Sequence, residues 1–541
     1  MRRAFGAVAL LALACLLVHA ARTGMAGDYI DPISRITAQD EALYAHSAIA
    51  MARDGDWLTP RFMGRFALYK PPLLAWSAGL SAKLLGVSRL SLRLPIAILS
   101  ALALGLIFLW GAEAAGVQSG AIAVALVLSN HLWTTLAPLC LTDGLLLACY
   151  IAAFYALYCD PWLERRGPLL GFAAASAGAI LTKGIAGILP LAVLGVYWLA
   201  ARRQERPTFL RLCLAGGLAA AMAAPWFVYQ FAVHPRWFWT EHIAVEILGF
   251  GTGAPPQTSH ENQALFYLMR LAVTDPVLLA AAAMAVPAFL RELRQRTSGG
   301  VLLAAWIVVM LVAALGWQYR NSSYLLPLVP ALALLAAAWS PLRERQYAPW
   351  MWVVLICAYL LKLGTPEMPW GVDYRARTVQ AAAPVLSDYC AQARGNELIV
   401  LDLADDLYAS ILPLGKLRYA TVTPVTVPAG PYAMPFAEMG IALTVDQFDR
   451  LPELTPAFRE RLRQWGMALD APIGTLITAH SEAEIGALVR AHPEIDFLAP
   501  VRYRAAVEEV PQVLRQASKE FLLLLSRVPK RREAAAWTCR M

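Results

Sequence analysis

Charge is scarce in this chain. Of its 541 residues only 16% are Asp, Glu, Lys or Arg, against about 25% in ordinary soluble domains. That deficit excludes a well-solvated globular protein of this length. Cysteine offers as little: eight residues, scattered, with no C-x-x-C and no Cys/His ligand spacing. No glycine-rich G-x-G-x-x-G follows a strand-like run, so nothing signals a soluble nucleotide-binding unit. Internal repeats and low-complexity tracts are missing too, which sets aside solenoids and disordered linkers.

What is present is apolar. Hydrophobic residues make up 59% of the chain, the mean hydropathy is +0.52, and 17 Trp and 19 Tyr supply the aromatic belts of a polytopic membrane protein. The net charge of +8 is not a nucleic-acid footprint, because the arginines cluster beside apolar runs, where they act as topology signals next to acidic headgroups. Arg2-Arg3 and the run from Ala4 to Ala20 read either as a signal peptide cleaved after Val18-His19-Ala20 or as an uncleaved first span. The second is preferred because the topology closes with it. Further apolar runs at about 94–114, 119–139, 142–158, 168–182, 185–200, 212–231, 267–290, 300–317, 324–340 and 349–363 bring the expected total to about eleven spans, each of the ~20 residues a bilayer requires or slightly fewer.

Loop charge sets the orientation. With a cytoplasmic N-terminus, Arg165-Arg166, Arg202-Arg203-Arg206, Arg291-Arg294-Arg296 and Arg343-Arg345 all fall inside. The outer side then receives the 22–93 loop, the turns at Asp143 and Lys183, the 232–266 loop, the 318–323 turn and everything after 363. Residues 364–541 have the composition of a soluble domain. Glu397–Leu401, Gly474–Thr478 and Asp496–Ala499 read as buried strands, and Ser481-x-x-Glu484 opens a helix as a capping box. That order predicts a small α/β unit. Its Cys390 and Cys539 lie in an oxidising compartment on this topology, and whether they pair stays open.

Nearly every polar residue without a structural excuse falls on the outer side. The first loop holds Asp40-Glu41 at the start of an alanine-rich helix, then Asp54-Gly55-Asp56-Trp57 running to Pro60-Arg61, then Tyr69-Lys70-Pro71-Pro72. Asp40 reads equally as a helix cap, but Lys70 before two prolines is held extended, a posture suited to meeting a phosphate. Asp143 opens a span at its outer end, where a carboxylate costs roughly 2.5–3.5 kcal/mol on insertion scales and therefore faces a cavity. Lys183 breaks the positive-inside pattern, and an anionic ligand supplies the reason. Tyr319-Arg320 and Tyr324 complete the set. His242 and His260-Glu261 form a weak candidate for a divalent metal; isolated histidines more often only hydrogen-bond.

Together Asp40-Glu41, Gly55-Asp56-Trp57-Leu58-Thr59-Pro60-Arg61, Lys70-Pro71-Pro72-Leu73, Asp143, Leu181-Thr182-Lys183-Gly184 and Tyr324-Leu325-Leu326-Pro327 resemble the GT-C glycosyltransferases, in particular the bacterial aminoarabinose lipid A transferases and the related protein O-mannosyltransferases. The resemblance spans about Gln39 to Pro330. It implies an all-α polytopic GT-C fold of about 11–13 transmembrane helices, with amphipathic helices in the first outer loop, over residues 1–363, and a periplasmic α/β domain over 364–541. It also implies inverting transfer of a sugar from undecaprenyl phosphate to lipid A or another envelope glycolipid, at the periplasmic face of the bacterial inner membrane. Asp40 would be the essential acid, with Asp143 and Glu41 as further acids; Lys70, Arg61, Lys183, Arg320 and Tyr324 would meet the donor phosphate. One departure stands out: that branch is expected to carry Glu before the Lys-Pro pair, and here the residue is Tyr69, which weakens both a zinc site with His260 and aminoarabinose as the sugar. The competing classes are a protein O-mannosyltransferase and a transporter of lipid-linked sugar, the latter lacking the inverted repeats it would need.

Overall fold

The computed structural model describes residues 2–22, 29–30, 37–38, 40–62, 65–251, 262–341, 344, 346–365 and 368, and in the C-terminal part 385, 389, 398–401, 417–422, 443–444, 473–479, 482–519 and 521–528. The helices are α1 (Arg2–Arg22), α2 (Asp40–Asp54), α3 (Leu73–Leu85), α4 (Arg89–Ala115), α5 (Val117–Leu128), α6 (His131–Leu136), α7 (Thr142–Cys159), α8 (Arg166–Lys183), α9 (Leu189–Ala200), α10 (Phe209–Val233), α11 (Pro235–Trp237), α12 (Gln263–Thr274), α13 (Pro276–Arg294), α14 (Ser298–Gly316), α15 (Val329–Trp339), α16 (Ala348–Gly364) and α17 (Glu482–Ala491). Between them lie 3₁₀ segments that include Gly184–Ile188 and Ser322–Leu328, and a π-helical segment, Phe238–Gly249.

Among the described residues eight helical stretches are long and apolar enough to cross a membrane, fewer than the eleven runs suggested, and the difference has local causes. The 119–139 run divides into α5 and α6 because Asn130 caps a new helix, accepting from the Trp133 N–H at 2.9 Å. The 267–290 run breaks at Asp275-Pro276, where proline removes a donor and restarts the helix as α13, which is still one of the eight. The 168–182 and 185–200 runs belong to one apolar stretch, Arg166–Ala200, that turns at Gly184, whose φ of +51° suits glycine. α16 has 17 residues and falls just short.

The bundle buries α1 along α4, α4 along α5 and α7, and α7 along α8. α4 and α5 come so close that a methyl at Gly120 would sit 2.4 Å from the Phe108 carbonyl oxygen. Trp306 is fully buried against Trp110 and Phe154 and donates to the Pro327 carbonyl at 2.9 Å. A second device is ionic. The Lys362 ammonium of α16 meets the Asp275 carboxylate, which also accepts from Asn130 Nδ2 at 2.9 Å and the His131 N–H at 3.1 Å. Two helix breaks, at Asn130 and at Asp275, are thereby tied to α16. Removing one partner of such a pair strands a buried charge, at a cost of about 3–5 kcal/mol. Lys362→Met should therefore depress thermal stability in detergent sharply, and Lys362→Met/Asp275→Asn should recover part of the loss. An unchanged melting temperature in the single variant would show that the pair contributes nothing.

The small strand pairs β1 (Tyr29–Ile30) with β2 (Thr37–Ala38) and β3 (Arg61–Phe62) with β4 (Arg65–Phe66) lie in the first loop. The C-terminal part holds β5 (Leu398–Leu401), β6 (Leu417–Val422), β7 (Leu443–Thr444), β8 (Ile473–Ala479), β9 (Asp496–Pro500), β10 (Val513–Gln516) and β11 (Phe521–Leu525) in one sheet, in the order β10-β11-β9-β5-β6-β8-β7. Strands β9, β5, β6, β8 and β7 are parallel and β10-β11-β9 antiparallel. Three of these strands and α17 fall where the sequence places them. Phe497, Leu522 and Leu524 pack with Ile485 and Leu488 of α17 in a core of their own. Cys390, Cys539 and Ser481 lie outside the described residues.

Candidate active site

α2 starts at Asp40, where two first-turn acids complement the helix dipole. Asp40 is exposed at its helix start, yet the protein packed around it displaces much of its water. That enclosure raises its pKa; the nearby Asp143 charge adds to the rise, while Lys70 and Lys183 oppose it. Those influences identify its neighbours: the sequence spreads Asp40, Lys70, Asp143 and Lys183 over 144 positions, and the fold gathers them.

Lys70 ends an extended stretch before Pro71-Pro72, the residues that lead into α3. The π-helical segment backs this stretch at three successive points. Glu241 accepts from the Leu68 N–H at 2.6 Å, His242 Nδ1 lies 3.3 Å from the Tyr69 carbonyl oxygen, and the Glu246 carboxylate pairs with the Lys70 ammonium. Burial lowers the Lys70 pKa first and the neighbouring Lys183 ammonium second, while Asp40 and Asp143 pull it upward. Burial and Lys70 together push His242 down to about 4, so its ring is neutral and Nδ1 donates to Tyr69.

Asp143, at the start of α7, and Lys183, at the end of α8, form an ion pair at 2.8 Å, with side chains 16% and 15% exposed. The Lys183 ammonium lies 5.6 Å from the centre of the Tyr324 ring. Asp143, Lys183, Glu246 and Tyr324 line the polar end of a cavity of about 300 Å³ whose remaining wall is mostly apolar, built by Leu146, Leu189, Met310, Val312 and Trp317 among others. A charged head beside an apolar slot between helices matches an anionic group on a long hydrocarbon.

Five expected site residues therefore meet: Asp40, Lys70, Asp143, Lys183 and Tyr324. Three do not join them. Glu41 is a correction to the catalytic set: one residue on from Asp40 it points elsewhere, fully buried, with its carboxylate taken by Arg93 at 2.5 Å. Arg61 sits in the β3–β4 hairpin, 3.6 Å from Asp56 and 4.7 Å from the Phe66 ring centre, because the hairpin folds it back on its own loop. Arg320 lies over Phe266 at 5.9 Å, beside Tyr267. His260 lies outside the described residues. Among the described residues no group of three or more His, Cys, Asp or Glu side chains is arranged to hold a metal ion, and the position before Lys70 is Tyr69. Sequence reasoning missed Glu246 and Glu241; the signal was an acid in the apolar run Ile243-Ala244-Val245-Glu246-Ile247-Leu248, read only as loop.

The fold and this cluster define a polytopic protein of the GT-C glycosyltransferase fold. A family model described as dolichyl-phosphate-mannose-protein mannosyltransferase matches residues 69–229. An uncharacterized protein of Aquifex aeolicus is 30% identical over 203 residues, 37% of this chain and 40% of that one. The undecaprenyl phosphate-alpha-4-amino-4-deoxy-L-arabinose arabinosyl transferase of Aeromonas salmonicida is 29% identical over 337 residues, 57% of each chain. The chain thus spans about half the length of the curated relatives it matches. The crystal structure of ArnT from Cupriavidus metallidurans bound to undecaprenyl phosphate superposes with a TM-score of 0.63 at 17% identity, over 96% of this chain and 97% of that one. The chain is thus similar in sequence to the aminoarabinose transferases over 57% of its length and to the protein-mannosyltransferase model over residues 69–229, and it shares the fold of ArnT.

Proposed function

We propose that this chain is an inverting glycosyltransferase that moves a sugar from undecaprenyl phosphate to lipid A or another envelope glycolipid, at the periplasmic face of the bacterial inner membrane. The observation that carries the reading is the cavity: Lys183, Asp143, Glu246 and Tyr324 in its polar lining, apolar helix faces for most of the rest. Its polar end suits the phosphate and its wall the polyprenyl chain. Asp40 takes the proton of the acceptor hydroxyl as that oxygen attacks the anomeric carbon. The bond to the phosphate oxygen breaks on the opposite face, so the configuration inverts. The leaving phosphate is already charged, and Lys70 and Lys183 stabilise it in place of a general acid. Holding donor and acceptor in one site supplies proximity. Segregation of the arginine clusters supports the periplasmic assignment.

The test uses the purified full-length chain in detergent with undecaprenyl phosphate-4-amino-4-deoxy-L-arabinose or undecaprenyl phosphate-mannose as donor, and lipid A or a Ser/Thr peptide as acceptor, read by mass spectrometry. Glycosylated lipid A is the expected product. A modified peptide would move the chain to the protein mannosyltransferases, a reading that the family match favours. No product with any pair, together with no binding of undecaprenyl phosphate, would remove the enzyme reading.

A further inference from the structure

Glu41 has more partners than a salt bridge requires. Its carboxylate accepts from Arg93 Nε at 2.6 Å and Nη2 at 2.5 Å, and Oε1 also accepts from the Cys140 N–H at 2.7 Å. Arg93 Nη1 in turn donates to the Ala20 carbonyl at 2.6 Å. Both side chains are fully buried, and two charges survive out of water only when their bonds are this complete. Three residues along α2 from Glu41 and one turn from Asp40, Tyr44 is 7% exposed and has the Thr142 side chain beside its hydroxyl. Thr142 Oγ1 lies 3.5 Å from Asp143 Oδ2. α2 therefore meets the segment leading into α7 twice, by the Glu41 hydrogen bond at Cys140 and by the Tyr44 hydroxyl beside Thr142, close to Asp143. Behind that segment there is no room to retreat: a methyl at Gly144 would lie 3.1 Å from both Ala137 Cα and Ile96 Cγ2.

We propose that Glu41 and Tyr44 are positioning residues that fasten the helix carrying Asp40 to the turn carrying Asp143, so that the two acids of the site are held as one unit. This deepens the function proposed above and rests on it. A purely stabilising buried pair needs only Arg93. The bond to Cys140 and the second contact at Thr142 tie the two acid-bearing segments directly.

Tyr44→Phe removes one contact and keeps the ring, so it tests the clamp without hollowing the core; Glu41→Gln keeps an acceptor for Cys140 but loses the ion pair. Hydrogen exchange by mass spectrometry on the full-length chain should show the amides of residues 137–143 exchanging about tenfold faster or more in both variants, with peptides from the middle of α4 unchanged. Turnover should drop about 10- to 100-fold in kcat, while KM for the polyprenyl donor and affinity for undecaprenyl phosphate stay at the wild-type values. Tyr44→Phe with wild-type exchange over 137–143, or with wild-type kcat, overturns the proposal. A wild-type chain that neither binds undecaprenyl phosphate nor transfers sugar would instead sink the function above, and the exchange comparison would still decide whether the clamp exists.

Discussion

Asp40→Asn should yield a well-folded chain that binds undecaprenyl phosphate almost normally and transfers sugar roughly 10²–10⁴-fold more slowly than wild type, the usual cost of losing a general base. Asparagine keeps the shape of the side chain and its capacity to cap α2, so chemistry is separated from folding. The pH dependence gives a second handle. Enclosure raises the Asp40 pKa, so the carboxyl holds its proton to higher pH than an ordinary aspartate. Only the ionised form can accept the acceptor's proton, so kcat should climb as pH rises through that raised value and level off above it. Activity should be lost on the acid side, and Asp40→Asn should abolish that limb. Near-wild-type turnover by Asp40→Asn would transfer the role to Asp143 or remove the base mechanism.

Lys70→Ala should weaken binding of undecaprenyl phosphate about 10- to 100-fold. That range corresponds to the roughly 1.5–3 kcal/mol of a hydrogen bond to a charged group, at about 1.4 kcal/mol per factor of ten. The ammonium sits between Glu246, Asp40 and Asp143. Its removal therefore takes away the attraction for phosphate and also leaves three carboxylates to repel it. Lys70→Arg should restore part of the affinity, because charge returns with a longer reach. Isothermal titration of purified variants in detergent measures both. Unchanged affinity in Lys70→Ala would reduce the residue to a counter-ion for Glu246.

Much of this protein was legible without coordinates, for one reason: a bilayer imposes its demands locally. Every span must be apolar over its own length, so hydropathy exposed the membrane class and most helices. Prolines before α3 and a glycine at the Lys183 turn announced their backbones in the same way. Asp143 and Lys183 stood out because charge at membrane depth is costly wherever it occurs. The span count differed, since Asn130 breaks an apolar run that reads as continuous and the two runs either side of Gly184 form one stretch.

What only the tertiary structure decided is which polar groups face one another. Asp40 and Glu41 are adjacent in sequence and equally acidic, yet the helix turns them apart, one to the open site and one into a buried bond with Arg93, 52 positions away. Lys70 and Lys183 share a site, whereas Arg61 and Arg320, equally cationic, pack onto Phe66 and Phe266. Glu246 was invisible because a π-helical segment following an irregular path brings it to Lys70, and no spacing rule describes that path. Membrane class and the inventory of candidate groups depend on each residue's own transfer energy, which composition carries. Partnership depends on distance between segments far apart in the chain, and packing alone sets that distance.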